Sequence, residues 1–348
     1  MKNEIAVIAF STIFLFLGCN MRPKNDITVF PASKKATLNE IGIPNVLAVP
    51  MDLVILDDKI IIYDMLSEWI FKIFSRESFD FKGDLIMRGR GPMEEVDVSP
   101  YFRRYGNDTF LYKSTGTVKV AEIHSNNRDL NYVIIDEFAL PADMHYDDDF
   151  FLLNDKLFSS ITFQSIARDF RCFDIDVNST YEWGELLPLR RPKSLHPDDI
   201  FYLAKFTTVN PDQNLLAVVY QNLPILRIYC INSVQVLSQQ HMADGSDNIK
   251  YFKRNSFGEG FLTYYGRIKS TKEFIYALYP GTGLSWDDEN IPDLATVIHI
   301  WKWDGTPAMK LELDRPIFSF DVTPDNKQLI ASSIVDVDKL FVAEIPWD

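Results

Sequence analysis

The sequence predicts an all-β fold, a six-bladed β-propeller of four-stranded antiparallel blades, on the basis of three observations. First, a unit made of an apolar strand, a tight polar turn, a second apolar strand and an alternating third strand recurs six times. Second, this unit repeats roughly every 50 residues or slightly more, which is the length of a four-stranded blade with its loops. Third, long helical periodicity is absent, and the 18 prolines lie mostly between the expected strands.

The first 18 residues have the pattern of a signal peptide. A short polar start precedes an apolar stretch at residues 5–17, which is too short to span a membrane as a helix. Gly18 and Cys19 follow at once, and residues 15–19 resemble the lipobox of bacterial lipoproteins. The resemblance implies that Cys19 is lipidated and anchors the protein to a membrane; an ordinary secretory signal with a chance cysteine is the alternative. We expect a signal peptide at 1–18, a tether at 19–25 and a single propeller domain at 26–348.

Six short polar segments predict the turn between the first and second strand of each blade. Asn, Asp and Gly tolerate the dihedral angles of tight turns, and they recur between apolar runs. The turns are expected at residues 57–59, 106–108, 154–156, 211–214, 270–273 and 324–327. Second strands follow at 60–63, 110–112, 157–158, 215–220, 274–279 and 329–331, and third strands at 69–74, 117–123, 170–175, 225–231, 296–303 and 340–345.

The ends of the chain suggest how the ring closes. After the third strand of the sixth unit the sequence ends at Asp348, so this blade lacks a fourth strand of its own. An N-terminal strand would complete the blade and remove an exposed sheet edge. The apolar segment 27–30 is the predicted closing strand.

Charge limits the classes of partner. The chain carries a formal net charge of −14 and has no long run of Lys and Arg. Such a surface repels phosphate backbones, which argues against a nucleic-acid partner. The simplest interpretation is that the acidic side chains keep an aromatic-rich protein soluble.

Several stretches also suggest a family. Residues 300–307, 313–317 and 322–327 resemble the last blades of TolB-like six-bladed propeller lipoproteins of Bacteroides and relatives. Residues 88–94 resemble the glycine-rich turn between the first two blades of those proteins, with Met93 where a glycine is usual. The resemblance implies the fold and a cell-envelope location, whereas the family is largely of unknown function.

Arg88, Arg90 and Glu94 are the predicted ligand-binding residues. A glycine-rich turn brings backbone N–H groups forward, and two arginines beside it could hold a carboxylate or a sugar acid. The alternative is that Gly89 and Gly91 only shape a connection between blades, with solvated charges around them.

The sequence has none of the common local signatures of hydrolases, zinc proteases or nucleotide-binding proteins. Its five histidines are scattered, which disfavours a metal site. Cys172 and Cys230 are expected on third strands of adjacent blades, too far apart for a disulfide and buried as small apolar residues.

Three functional classes remain open. The favoured one is a binding or scaffold module, lipid-anchored in the cell envelope, for an envelope protein or glycan partner. The alternative is a calcium-dependent hydrolase or lyase with carboxylates from several blades in the central channel. The third is a sensor or assembly factor of an envelope complex. No catalytic residue or cofactor is predicted, and the periplasmic side of the outer membrane is slightly favoured over the surface because no acidic residue follows Cys19 directly.

Overall fold

The computed structural model describes residues 24–126, 129–161, 168–185, 187, 204–221, 223–242, 262–280, 282–283 and 295–347. This part of the chain is almost entirely β-structure, with two short 3-10 turns at Ala142–Met144 and Pro211–Gln213. It contains no helix long and apolar enough to cross a membrane. Cys19 and the predicted signal peptide lie outside the described residues, so both stay predictions.

Three N-terminal strands precede the blades: β1 (Lys24–Thr28), β2 (Ser33–Ala36) and β3 (Asn39–Gly42). Strand β1 begins two residues before the predicted start of the domain. Blade one follows with β4 (Pro50–Ile55), β5 (Lys59–Asp64), β6 (Trp69–Ser75), β7 (Phe81–Arg88) and a parallel fifth strand, β8 (Glu94–Glu95).

The next two blades are plain four-stranded sheets. Blade two consists of β9 (Arg103–Arg104), β10 (Thr109–Ser114), β11 (Thr117–Asn126) and β12 (Asp129–Ala139). Blade three consists of β13 (Asp148–Leu153), β14 (Lys156–Ile161), β15 (Phe170–Asp174) and β16 (Ser179–Trp183).

The last three blades each take one strand from the N-terminus. Blade four consists of β17 (Lys205–Asn210), β18 (Leu215–Tyr220), β19 (Leu223–Cys230) and β20 (Gln235–Met242). Beside blade five lies a small ribbon of β21 (Leu262–Thr263) and β24 (Thr282–Gly283); the blade itself consists of β22 (Arg267–Ser270), β23 (Phe274–Leu278), β25 (Ala295–Lys302) and β26 (Pro307–Ile317). Blade six consists of β27 (Ser319–Val322), β28 (Gln328–Ser332) and β29 (Lys339–Glu344).

The predicted turns and strands are confirmed. Each of the six polar turns connects the first strand of a blade to its second, and the predicted second and third strands coincide with observed ones within a few residues. Because all first strands run in the same direction around the centre, their turns lie on one side of the ring. We call this side the turn face, defined by residues 57–58, 106–108, 154–155, 211–214, 271–273 and 324–327.

The hydrophobic core lies between the blades. Among the described residues, six clusters of buried apolar side chains each join two neighbouring blades. Typical is the contact of blades one and two, where the Phe71 ring packs edge-on against Phe102 and Phe110 at centroid distances of 5.1 Å. Such pairs add to the gain from apolar burial. The packed ring therefore fixes the first strands around a central channel.

The ring is closed by an N-terminal strand, as expected, but the predicted segment is wrong. Strand β3 pairs antiparallel with β29 and supplies the fourth strand of blade six. Ile27 lies instead in β1, which pairs parallel with β20 of blade four. The reason is reach: β3 lies only a few residues before β4, so it can pass the chain from the last blade to the first. Strand β2 pairs parallel with β26 of blade five, so the N-terminus borders three consecutive blades.

Candidate functional site in the central channel

The first strands of the blades surround a cavity of about 440 Å³ in the central channel. The most exposed side chains of its lining are on the turn face, where Tyr105 is 47% exposed and the side chains of Asp212 and Lys272 are 60% and 85% exposed. Lining residues at the opposite end, such as Phe206 and Arg267, are buried. The cavity is therefore a funnel whose mouth lies on the turn face.

Arg267 fills the inner end of the funnel. Its guanidinium carbon lies 5.8, 5.6 and 5.1 Å from the ring centroids of Tyr101, Phe206 and Phe318. The terminal nitrogens donate to the backbone carbonyls of Gly266, at 2.7 Å, and Met51, at 2.9 Å. Aromatic faces and carbonyl oxygens thus stabilise a cation that is almost completely buried.

Asp52 and Lys269 form an ion pair next to this end. The Lys269 ammonium donates to both carboxylate oxygens of Asp52, at 3.0 and 3.2 Å, and to the Leu53 carbonyl at 2.9 Å. The Ser319 hydroxyl donates to the same carboxylate at 2.6 Å. The three side chains come from blades five, six and one, which are consecutive in the ring. Their contacts therefore connect these blades at the channel, and the charges of Asp52 and Lys269 balance each other.

A second ion pair joins blades two, three and four. Arg103 is paired with Asp149 and also donates to the Thr207 hydroxyl at 3.1 Å. Asp149 in turn accepts the Thr207 N–H at 3.1 Å, the Thr207 hydroxyl at 2.8 Å and the Ser160 hydroxyl at 2.5 Å. This buried carboxylate is saturated by donors, as a buried charge must be.

Arg104 differs from these paired cations. It lines the funnel from β9 and donates one hydrogen bond, from a terminal nitrogen to the Ser270 carbonyl at 3.3 Å. Asp321 also lines the funnel, but its two oxygens accept the backbone N–H groups of Ile55 and Val322, both at 2.8 Å. Burial raises the pKa of Asp321, and the charges of Arg104 and Lys269 offset only part of that effect.

The predicted binding residues lie elsewhere, in the loop that leads from blade one to blade two at the face opposite the funnel mouth. Arg88 donates to the carbonyls of Ser67, Met65 and Asp64, at 2.9, 2.9 and 3.2 Å. Its guanidinium therefore fixes the turn between β5 and β6. This contact favours the alternative raised by the sequence, in which the motif shapes the connection between blades.

Glu94 and Arg90 complete this loop. A Glu94 carboxylate oxygen accepts the Gly91 N–H at 2.7 Å. A Cβ atom at Gly89 would come within 1.9 Å of the same carboxylate, which explains the glycine there. Arg90 is exposed. The three residues are neighbours in space, but two of them are engaged with their own loop.

The sequence pattern did not single out Arg103 and Arg104, although it contains a signal for them. The residue pair directly precedes the predicted turn at 106–108. In a propeller the strand before this turn lines the channel, so tracing back from each turn would have brought the funnel residues together.

The described residues contain no group of three or more His, Cys, Asp and Glu side chains that could hold a metal. Cys172 and Cys230 lie on β15 and β19, both buried and not in a disulfide, as predicted. Burial raises the pKa of the Cys172 thiol to about 11, so this cysteine is a weak nucleophile.

Comparison with known proteins agrees with the architecture. A family model described as a TolB-like 6-blade propeller matches residues 30–325. The chain belongs to this family. No match is found among curated proteins. The TolB-like propeller predicted from residues 88–94, 300–307, 313–317 and 322–327 is thereby confirmed.

Two solved structures are similar to this TolB-like propeller. One is a member of the duf4221 family from Bacteroides vulgatus, with 10% identity, coverage of 91% of this chain and 97% of that one, and a TM-score of 0.55. The other is a putative exported protein from Bacteroides fragilis, with 10% identity, coverage of 93% and 99%, and a TM-score of 0.56. At this identity the likeness supports the fold.

Proposed function

We propose that this TolB-like propeller is a lipid-anchored, extracytoplasmic binding module that takes an envelope protein or glycan partner at the funnel mouth. The observation that carries the proposal is the funnel itself, a cavity of about 440 Å³ that opens on one face and has a preformed polar lining. Binding sites of this size are concave, with a few convergent polar groups.

Binding is favoured over catalysis because the funnel carboxylates are already engaged. Asp52 is bonded by Lys269 and Ser319, and Asp149 is bonded by Arg103 and two hydroxyl groups. A hydrolase would need a carboxylate with oxygens available to a metal, a water or a substrate. The pattern favours a rigid recognition surface over the calcium-dependent alternative.

The extracytoplasmic location rests on the sequence, through the signal-peptide pattern and Cys19, and on the exported relative from Bacteroides fragilis. The buried, unpaired Cys172 and Cys230 are compatible with this extracytoplasmic location, because an oxidising compartment permits disulfides but does not require them. Lipidation of Cys19 follows from the lipobox resemblance.

A capture experiment with a blocked funnel tests the proposal. The native lipidated protein is purified from its own membranes, together with Asn107→Trp, which places a large side chain at the exposed mouth, and Glu77→Trp, on the same face but outside the funnel. We expect wild type and Glu77→Trp to retain one stoichiometric protein or glycan partner and Asn107→Trp to lose it. Equal retention by all three proteins, or bound calcium without a partner in metal analysis of the same samples, would contradict the proposal.

A further inference from the structure

The charges of the funnel lining are unusual for this chain. The protein as a whole has 49 acidic and 35 basic side chains. The funnel is lined instead by five cations and four carboxylates: Arg103, Arg104, Arg267, Lys269 and Lys272 against Asp52, Asp149, Asp212 and Asp321. The cavity of this acidic protein thus has a small excess of positive charge, in a place where low-dielectric walls strengthen electrostatic interactions.

Three of these cations are neutralised by direct partners. Arg103 pairs with Asp149, Lys269 with Asp52, and Lys272 with Asp212 at 2.9 Å. Arg267 is enclosed by aromatic rings, and its Nε lies 3.9 Å from Asp52 without a hydrogen bond. Within the described ranges, Arg104 has no carboxylate in ion-pair distance.

The donors of Arg104 are therefore largely available to a ligand. A guanidinium has five N–H donors, and among the described residues Arg104 uses one of them, for the Ser270 carbonyl. The Arg104 charge acts on Asp321, but the two oxygens of this carboxylate are already held by two backbone N–H groups. A planar edge with two parallel donors matches a carboxylate in bidentate geometry.

The charge balance distinguishes a carboxylate from a phosphate. Five cations against four carboxylates leave the funnel with about one net positive charge. One charge balances a monoanionic carboxylate, whereas a phosphate dianion needs two or more cations or a set of backbone N–H groups. The other lysines and Arg103 are already committed to carboxylates.

The surroundings of Arg104 fit a hydroxylated ligand. Tyr105 lies half-exposed at the mouth, where its ring offers an apolar face, and aromatic side chains bind flat, partly apolar groups well. The hydroxyls of Thr208 and Ser270 lie 2.6 Å apart and line the same cavity, so they can exchange their mutual bond for bonds to a ligand. Asn107 adds an exposed polar side chain at the rim.

From these contacts we propose that the funnel binds an acidic sugar, with its carboxylate on Arg104 and its ring at Tyr105. The proposal rests on the proposed binding function and narrows it to the glycan class of partner. It makes Arg104 the specificity-determining residue, because a neutral sugar would leave the guanidinium without a charged partner.

Calorimetric titration of the full-length protein with galacturonate, galactose and galactose 6-phosphate tests the proposal. We expect galacturonate to bind at least tenfold more tightly than galactose, and its affinity to fall as salt is raised. Arg104→Gln should weaken galacturonate binding roughly 10- to 100-fold, since charge-assisted hydrogen bonds contribute strongly. Lys327→Gln removes an exposed cation from the same face outside the funnel, and we expect less than a twofold change.

Each other outcome would overturn the assignment. Tighter binding of galactose 6-phosphate would indicate a phosphate site, and equal loss in Lys327→Gln would indicate a general effect of surface charge. If Arg104→Gln does not fold, Arg104→Lys keeps the charge without the planar edge, and it should still weaken galacturonate binding severalfold. Absence of galacturonate binding combined with partner capture that depends on Asn107 would refute the acidic sugar but leave the binding function intact.

Discussion

At the scale of single residues, the loop of residues 88–94 shows how one motif supports two interpretations. Paired arginines in a glycine-rich turn suggest an anion site when only the sequence is known. The structure shows that Arg88 satisfies three carbonyls of the turn between β5 and β6. A side chain that satisfies backbone acceptors stabilises the fold, whether or not the loop also binds a ligand.

We expect Arg88→Ala to lower the free energy of unfolding by about 1–2 kcal/mol, because the turn loses three charge-assisted hydrogen bonds in a partly solvated place. Arg90→Ala is the matched control from the same loop, and an exposed substitution of this kind should change stability by less than about 0.5 kcal/mol. Thermal and urea unfolding followed by circular dichroism measures both. Equal effects of the two substitutions would show that the hydrogen bonds of Arg88 add nothing to the free energy of unfolding.

His299 is a second residue with a measurable consequence. It is buried on β25, where its ring stacks on Tyr279 at a centroid distance of 4.2 Å and lies tilted against Phe30 at 4.6 Å. Burial, with a smaller effect of the Lys310 charge, lowers the pKa of this imidazole to about 3. Below the ordinary pKa of about 6.5 the unfolded chain binds a proton that the folded chain does not, so stability falls as the pH falls from about 6.5 towards 3.

Between pH 7.5 and pH 5 this single group should cost the wild-type protein about 2 kcal/mol of stability. In His299→Phe, which keeps the aromatic packing, that part of the pH dependence should disappear. Urea unfolding at the two pH values gives the difference for each protein. His124→Gln serves as the control because His124 is exposed, and its pH dependence should equal that of wild type. An unchanged slope in His299→Phe would show that His299 is protonated in the folded state.

At the scale of elements, the sequence pattern predicted the strands that pair with their neighbours along the chain. The six turns and the second and third strands were predictable because turn residues and apolar alternation report directly on a buried strand. The N-terminal strands were not. Strands β2 and β3 consist mostly of polar and half-exposed residues, since each borders a blade on its outer side. Their positions depend on partner strands almost 300 residues away, which no local pattern records.

The same reasoning explains why the funnel was missed. Arg103 and Arg104 form a strand of only two residues, too short for an alternation pattern. Their role follows from the ring, which brings first strands of all blades to one axis. The sequence could predict the ring, but the ion pairs inside it depend on side-chain positions from different blades.

The closing strand can be tested by comparing two deletions. Removing residues 24–31 takes away β1 but leaves β3 in blade six, so we expect a cooperative transition with a melting temperature lower by several degrees. Removing residues 24–42 takes away β2 and β3 as well, which exposes the outer edges of β26 and β29 and uncovers part of the core around Leu340. This protein should lose cooperative unfolding or aggregate. Similar melting temperatures for both proteins would contradict closure by β3.

At the scale of the whole molecule, the direction of β1 relates the predicted anchor to the funnel. Strand β1 is parallel to β20, which runs away from the turn face, so Lys24 is the end of β1 nearer that face. Five residue steps separate Cys19 from Lys24, and an extended chain of this length spans at most about 18 Å. A lipid on the predicted anchor residue Cys19 would therefore hold the turn face, with the funnel mouth, towards the membrane.

Fluorescence quenching in vesicles measures this orientation. Single labels are placed by Asn107→Cys at the funnel mouth and by Leu66→Cys in the turn between β5 and β6 on the opposite face, where Leu66 is 69% exposed. The buried Cys172 and Cys230 should stay unlabelled. With a quencher attached to lipid headgroups, we expect stronger quenching at position 107 than at position 66. Adding Cys19→Ser should abolish quenching at both positions, since the anchor is lost. Equal quenching at the two positions in the lipidated protein, or stronger quenching at 66, would place the funnel mouth away from the membrane and leave it open to partners from the far side.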